Sequence, residues 1–164
     1  MRVLGVDPGT LATGWGVISV AGRALTHVEH GVIRTQASDP LWVRLQVIHR
    51  ALVEVIERLR PDALALEQCF VSKNIQSALK LGHTRGAVMI AASAGQVAIA
   101  EYTASQVKAT VGGGGRASKQ QMQEMVRVHL RLGQLAPEDA SDALAAAICH
   151  AQAAAFQRAL AGAR

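Results

Sequence analysis

The sequence predicts a mixed α/β fold: a five-stranded sheet, three strands antiparallel and the rest parallel, with helices on both faces. Three features predict it. The first third carries short apolar runs separated by turn residues. At Pro40 the apolar spacing changes from strand-like to helical. Beyond that point two more short apolar runs alternate with helical stretches, the pattern of a layered fold.

Taken in order, "RVLGVD" is an apolar run closed by the turn signal Asp7-Pro8-Gly9. "GWGVISV" is rich in Gly, Trp and β-branched residues, and "THVEHGVIRT" follows Ala21-Gly22-Arg23; the three runs form an antiparallel meander. Leu41, Leu45, Ile48, Leu52, Val55, Ile56 and Leu59 make a helical stripe that Pro61 stops. "DALALEQCF" reads as a buried strand ending near Glu67. A second helix spans about Asn74 to Ala94, "QVAIAEYT" is a short strand, and Ser105 to Val111 a brief helix broken by Gly112 to Gly115. Lys119 to Leu132 is amphipathic, and Pro137-Glu138-Asp139 opens an Ala-rich helix through about Leu160. The long elements run β-β-β-α-β-α-β-α-α.

Half of the 164 residues are apolar and 18% are charged, which excludes a disordered chain and suits one domain over 1–164. A net charge of +5 suits an anionic partner, nucleic acid among them, although solubility alone also accounts for it. Cys69 and Cys149 lack metal-ligand spacing and read as small buried hydrophobes of a reduced, cytoplasmic protein. Arg2 leads directly into a strand rather than a leader, and the uncharged stretches are too short to span a bilayer.

Only twelve residues are acidic, and most fall on helix surfaces or at turns. Four do not. Asp7 ends the first strand, and Glu67 ends the buried run "ALAL". Asp139 and Asp142, three apart, share one face of the first turn of the last helix. Each has a plainer reading: Asp before Pro-Gly is a common turn residue, and Asp139 or Ser141 could simply cap the helix. Glu67 resists such a reading, because Leu64, Leu66, Cys69 and Phe70 around it are apolar. If the first and fourth strands are neighbours and the last helix crosses their ends, four oxygen donors meet with no thiolate or imidazole among them. That donor set suits Mg²⁺ or Mn²⁺ and, with two ions about 4 Å apart, phosphodiester hydrolysis.

The segments "GVDPGTLATGWGVI", "ALEQCFVSKNIQSALKLGHTRG", "YTASQVKATVGGGG" and "EDASDALAAAICH" together resemble the RuvC-type Holliday junction resolvases, endonucleases of the RNase H-like superfamily, over essentially the whole chain. "DPG" alone is a weak motif; the ordered set is specific. The resemblance implies an RNase H-like fold and a Mg²⁺-dependent endodeoxyribonuclease in recombination and repair. It implies two Mg²⁺ per subunit, replaceable by Mn²⁺, held by Asp7, Glu67, Asp139 and Asp142; the family also accepts histidine in the place of Asp139. All four positions are acidic here.

Phe70 reads as core by composition, and the resemblance instead implies an exposed aromatic that stacks on an unpaired base. Lys73 and Asn74 follow within reach of phosphates. The four glycines from Gly112 read plainly as a surface loop; as a loop over DNA they would be served by Lys108, Arg116 and Lys119, and the resemblance puts Lys108 and Lys119 near the scissile phosphate. His83, His129 and His150 read as structural or surface residues, and Trp15 and Trp42 as packing residues.

A four-way DNA junction is two-fold symmetric, so paired nicks call for a homodimer, to which the small, apolar helix "SALKLGHTRGAVMIAASA" contributes. The resemblance adds RuvA and RuvB as partners. Two other readings stand beside this one. "DPGT" after a strand also suits the phosphate loop of an actin-like ATPase, which needs two such subdomains. A non-catalytic junction binder or YqgF-type relative would share the fold.

Overall fold

The structure is a computed structural model that describes residues 1–68, 74–114 and 117–162. Five strands form one sheet: β1 (Arg2–Asp7), β2 (Ala12–Ala21), β3 (Ala24–Arg34), β4 (Ala63–Glu67) and β5 (Ala98–Tyr102). Their spatial order is β3-β2-β1-β4-β5. The first three are antiparallel, while β4 runs parallel to both β1 and β5. The five helices are α1 (Leu41–Leu59), α2 (Ile75–Ala94), α3 (Ala104–Gly112), α4 (Lys119–Leu130) and α5 (Glu138–Gly162).

Strand alternation sorts the core into two layers. Leu4, Val6, Val17, Leu64 and Leu66 pack against Ile48, Leu52 and Val88 of α1 and α2. Val3, Ile18 and Ala65 face α3, α4 and α5, with Leu144 and Ile148 at the centre. Each such fully buried Leu or Ile contributes about 1.5–3 kcal/mol.

Helix ends follow local chemistry. Arg60, at φ 47°, ends α1 in the left-handed region just before Pro61. Asn74 is the cap of α2 rather than its first residue; its side chain accepts a hydrogen bond from the Ser77 N–H. α3 and α4 each open with a capping box, Thr103 with Gln106 and Ser118 with Gln121. α4 stops at Leu130, because Arg131 turns left-handed there. Trp15 is packed as expected, but Trp42 is 69% exposed. It sits about 120° around α1 from Ile48, outside the buried stripe. Among the described residues no helix is long and apolar enough to cross a membrane.

Candidate active site at the ends of the central strands

Asp7 and Glu67 are the last residues of β1 and β4, neighbouring parallel strands whose ladder ends at Val6 and Leu66. Alternation puts both on the α5 side of the sheet, in step with Gly5 and Ala65. Open sheets take ligands at the carboxyl ends of such strands.

The helix that completes the cluster lies unusually low. A Cβ on Gly5 would stand 1.8 Å from the Ala143 carbonyl oxygen, so β1 and α5 touch backbone to backbone only because position 5 is glycine. Ala143 and Ala147 form this contact with Gly5 and Ala140 meets Gly14, all three buried. This seat brings the first turn of α5, with Asp139 and Asp142, over the end of β1. Ser141 does not cap the helix: it lies inside the first turn, and its buried hydroxyl has no hydrogen-bond partner among the described residues.

The four carboxylates are close enough to disturb one another. Burial, followed by repulsion from Asp142, Glu67 and Asp139, pushes the Asp7 carboxyl from its ordinary value of 3.8 to about 7, and Lys119 opposes the rise. Glu67 is pushed up by burial and by Asp142, against Lys108 and Arg85. Asp142 is raised by burial, with Lys119 as its main counterweight. Even so, among the described residues no three His, Cys, Asp or Glu side chains converge tightly enough to grip an ion in this arrangement. The carboxylates stand near enough to repel one another without forming a closed shell. A cluster of oxygen donors whose buried charges repel, without sulfur or imidazole, fits a hard divalent cation.

Two cations border the cleft. Lys119 opens α4, with its ammonium paired to Glu138 and 3.8 Å from Asp142; Glu138 holds its pKa above the ordinary lysine value. Lys108 is exposed on α3 and acts electrostatically on Glu67 and Asp142. Asn74 is exposed at the start of α2. Phe70, Lys73, Arg116 and Cys69 lie outside the described residues. Cys149 is buried, as expected. His150 bonds the Tyr102 hydroxyl at 2.9 Å and His129 faces the Val111 carbonyl at 3.2 Å, both structural placements.

Sequence reasoning missed Glu138, which holds Lys119, and Arg85, which is buried on α2. An arginine inside the apolar stretch of α2 is the signal that could have revealed the second, since a buried charge needs a partner.

Known proteins share this fold and sequence pattern. Residues 3–150 match the family model described as "Crossover junction endodeoxyribonuclease RuvC". A relative of that name from Geotalea uraniireducens is 52% identical over 151 residues, covering 92% of this chain and 88% of its own. The structure of T. thermophilus RuvC in complex with Holliday junction substrate superimposes with a TM-score of 0.91 at 36% identity, over 96% of each chain. A yeast mitochondrial Holliday junction resolvase shares the fold, with a TM-score of 0.65 at 12% identity over 94% and 82% of the two chains.

Proposed function

The chain belongs to the crossover junction endodeoxyribonuclease RuvC family, and from that premise we propose that it resolves four-way DNA junctions by metal-dependent nicking at the Asp7–Glu67–Asp139–Asp142 cleft. The observation that carries the reading is the approach of carboxylates from β1, β4 and α5 at one end of the sheet, where burial and then their mutual repulsion raise Asp7 to about 7.

Asp7, Glu67, Asp139 and Asp142 would hold Mg²⁺, two per subunit, or Mn²⁺ in its place. When bound, such ions supply an activated water and stabilise the leaving 3′-oxygen. The chain's own residues do the rest. β1 and β4 present Asp7 and Glu67 from rigid strand ends, and Pro8-Gly9 turns the backbone away so that a phosphate can approach. Lys119 and Lys108 place positive charge on the rim, where the phosphodiester backbone enters. Phe70, Lys73, Asn74 and Arg116 complete the proposed DNA contacts.

Two matched nicks need two sites, so the active form is a homodimer. The outward side of α2 supports this: Ile75, Leu79 and Ile90 are exposed, and Gly82 and Gly86 have no neighbour within 4 Å of an added Cβ. RuvA and RuvB are the proposed partners on the junction, and the cytoplasm the proposed location.

The test is nicking of a synthetic four-way junction with Mg²⁺, compared with EDTA and with linear duplex. Metal-dependent, paired, junction-selective cuts support the assignment. Equal cutting of duplex, or cutting in EDTA, would sink it.

A further inference from the structure

Arg85 is the one arginine or lysine among the buried residues described, and its guanidinium has two partners at the edge of the cleft. One NH₂ group donates to the backbone carbonyl of Glu67, and the other donates to the Glu101 carboxylate on β5. A charge on α2 is thus spent on the last peptide of β4 and on its neighbouring strand.

That peptide is where β4 loses its ladder. Pairing with β1 ends at Val6 and Leu66, and β1 continues from Asp7 into Pro8, which has no N–H to donate. On the other side Gln68 N–H still reaches the Tyr102 carbonyl at 2.7 Å. The peptide joining Glu67 to Gln68 is therefore pinned at both poles, by Tyr102 through its N–H and by Arg85 through its C=O. With that plane fixed, the direction in which the Glu67 side chain leaves the backbone is fixed as well. Glu101 holds the guanidinium in turn; its pair with Arg85 is largely enclosed on the arginine side, whose side chain is 11% exposed.

We propose that Arg85, steadied by Glu101, is a positioning residue for Glu67, aiming its carboxylate toward Asp7 and Asp142 from the end of β4 that β1 leaves unpaired. The proposal rests on Glu67 being a cation ligand. Groups that orient metal-binding carboxylates from behind typically change metal affinity or activity about 10–100-fold when removed.

The experiment uses the full chain as R85M, R85K, E101Q, E67Q and V88A. V88A removes buried volume from the same helix and serves as a stability control, with temperatures chosen so that R85M and V88A are equally far below their midpoints. Mn²⁺ alone is titrated by electron paramagnetic resonance, junction binding is measured in EDTA, and single-turnover nicking is followed against Mg²⁺ concentration. R85M is expected to weaken Mn²⁺ binding and to slow nicking about 10–100-fold, with junction affinity within about twofold of wild type. R85K, which keeps charge but lacks the fork that reaches both partners, falls between. E101Q shifts the same quantities in the same direction by less, and serves if R85M does not fold. Mn²⁺ affinity and nicking in R85M and E101Q equal to those of V88A would overturn the proposal. A defective E67Q beside an unaffected R85M overturns the role of Arg85 alone. An E67Q that binds Mn²⁺ and nicks like wild type removes the ligand reading, and the proposal with it.

Discussion

The carbonyl oxygen of Asp139 lies 1.9 Å from the point a Cβ on Gly14 would occupy. Helix α5 is thus pressed onto β2 at the very residue that carries one of the candidate ligands. Gly14→Ala must push the first turn of α5 outward, moving Asp139 and Asp142 away from Asp7. Overpacking of this kind costs about 1–3 kcal/mol. Denaturant midpoints should show that loss, and nicking should fall at least about 100-fold, since displacement by about 1 Å carries that cost.

Asp7→Asn should leave junction binding intact and abolish nicking. It should also stabilise the protein in EDTA. A folded-state pKa of about 7 against an ordinary 3.8 means that the folded chain holds this proton more tightly than the unfolded one. Stability therefore falls as pH rises from about 4 to about 7, and the amide removes that loss. A gain of about 1–2 kcal/mol near neutral pH, after solvent screening, corresponds to a midpoint higher by about 2–8 °C. Added Mg²⁺ should narrow the difference by stabilising wild type.

His27 carries the opposite sign. Burial and the neighbouring His30, 2.8 Å away nitrogen to nitrogen, hold its pKa below the ordinary 6.5. The unfolded chain then takes up this proton first, so stability drops as pH falls below about 6.5. In an Asp7→Asn background, which removes the Asp7 part of the opposing trend while Glu67, Asp142 and His150 still titrate, His27→Gln should raise the urea midpoint at about pH 5 relative to that at about pH 7, compared with the His27 parent.

Lys119→Met should slow nicking by about 10–100-fold with junction affinity changed less than about threefold, because one charge among many contributes little to binding. The Lys119–Glu138 pair is exposed on both sides, at 68% and 55% of the side chains. Glu138→Ala should therefore move global stability by no more than about 1 kcal/mol.

Leu79→Glu and Ile90→Glu, on the outward side of α2, should convert a dimer to monomer by light scattering at micromolar concentration. Both side chains are more than half exposed, at 54% and 63%, so the folded subunit should survive the change. A wild-type chain that is already monomeric would contradict the proposed symmetry.

Much of the fold was legible because strand and helix periods in this chain are clean. The stripe from Leu41 to Leu59 and the run Ala63–Glu67 emerge where the spacing puts them. The four carboxylates were legible as a set: Glu67 ends a buried run, and Asp7, Asp139 and Asp142 stand at the ends of elements that could meet it. What could not be read is relative placement. Gly5 and Gly14 look like ordinary strand glycines until α5 is laid upon them, and nothing local announces that. Arg85 finds its partners 18 and 16 residues away, on two strands, so the apolar α2 around it hinted at burial but nothing local named the partners. Trp42 was misread as part of the helical stripe, whereas its angle around α1 leaves it exposed.

Of the four candidate ligands, Asp7 belongs to the first strand of the chain and Asp139 and Asp142 to the last helix described. The first strand is also the middle of the sheet, waiting on β4 for one flank and on α5 for its cover. A chain shortened before Pro137 would hold only Asp7 and Glu67 of the four candidate ligands, without the helix that covers β1. The proposed site is therefore complete only when α5 has docked on the sheet.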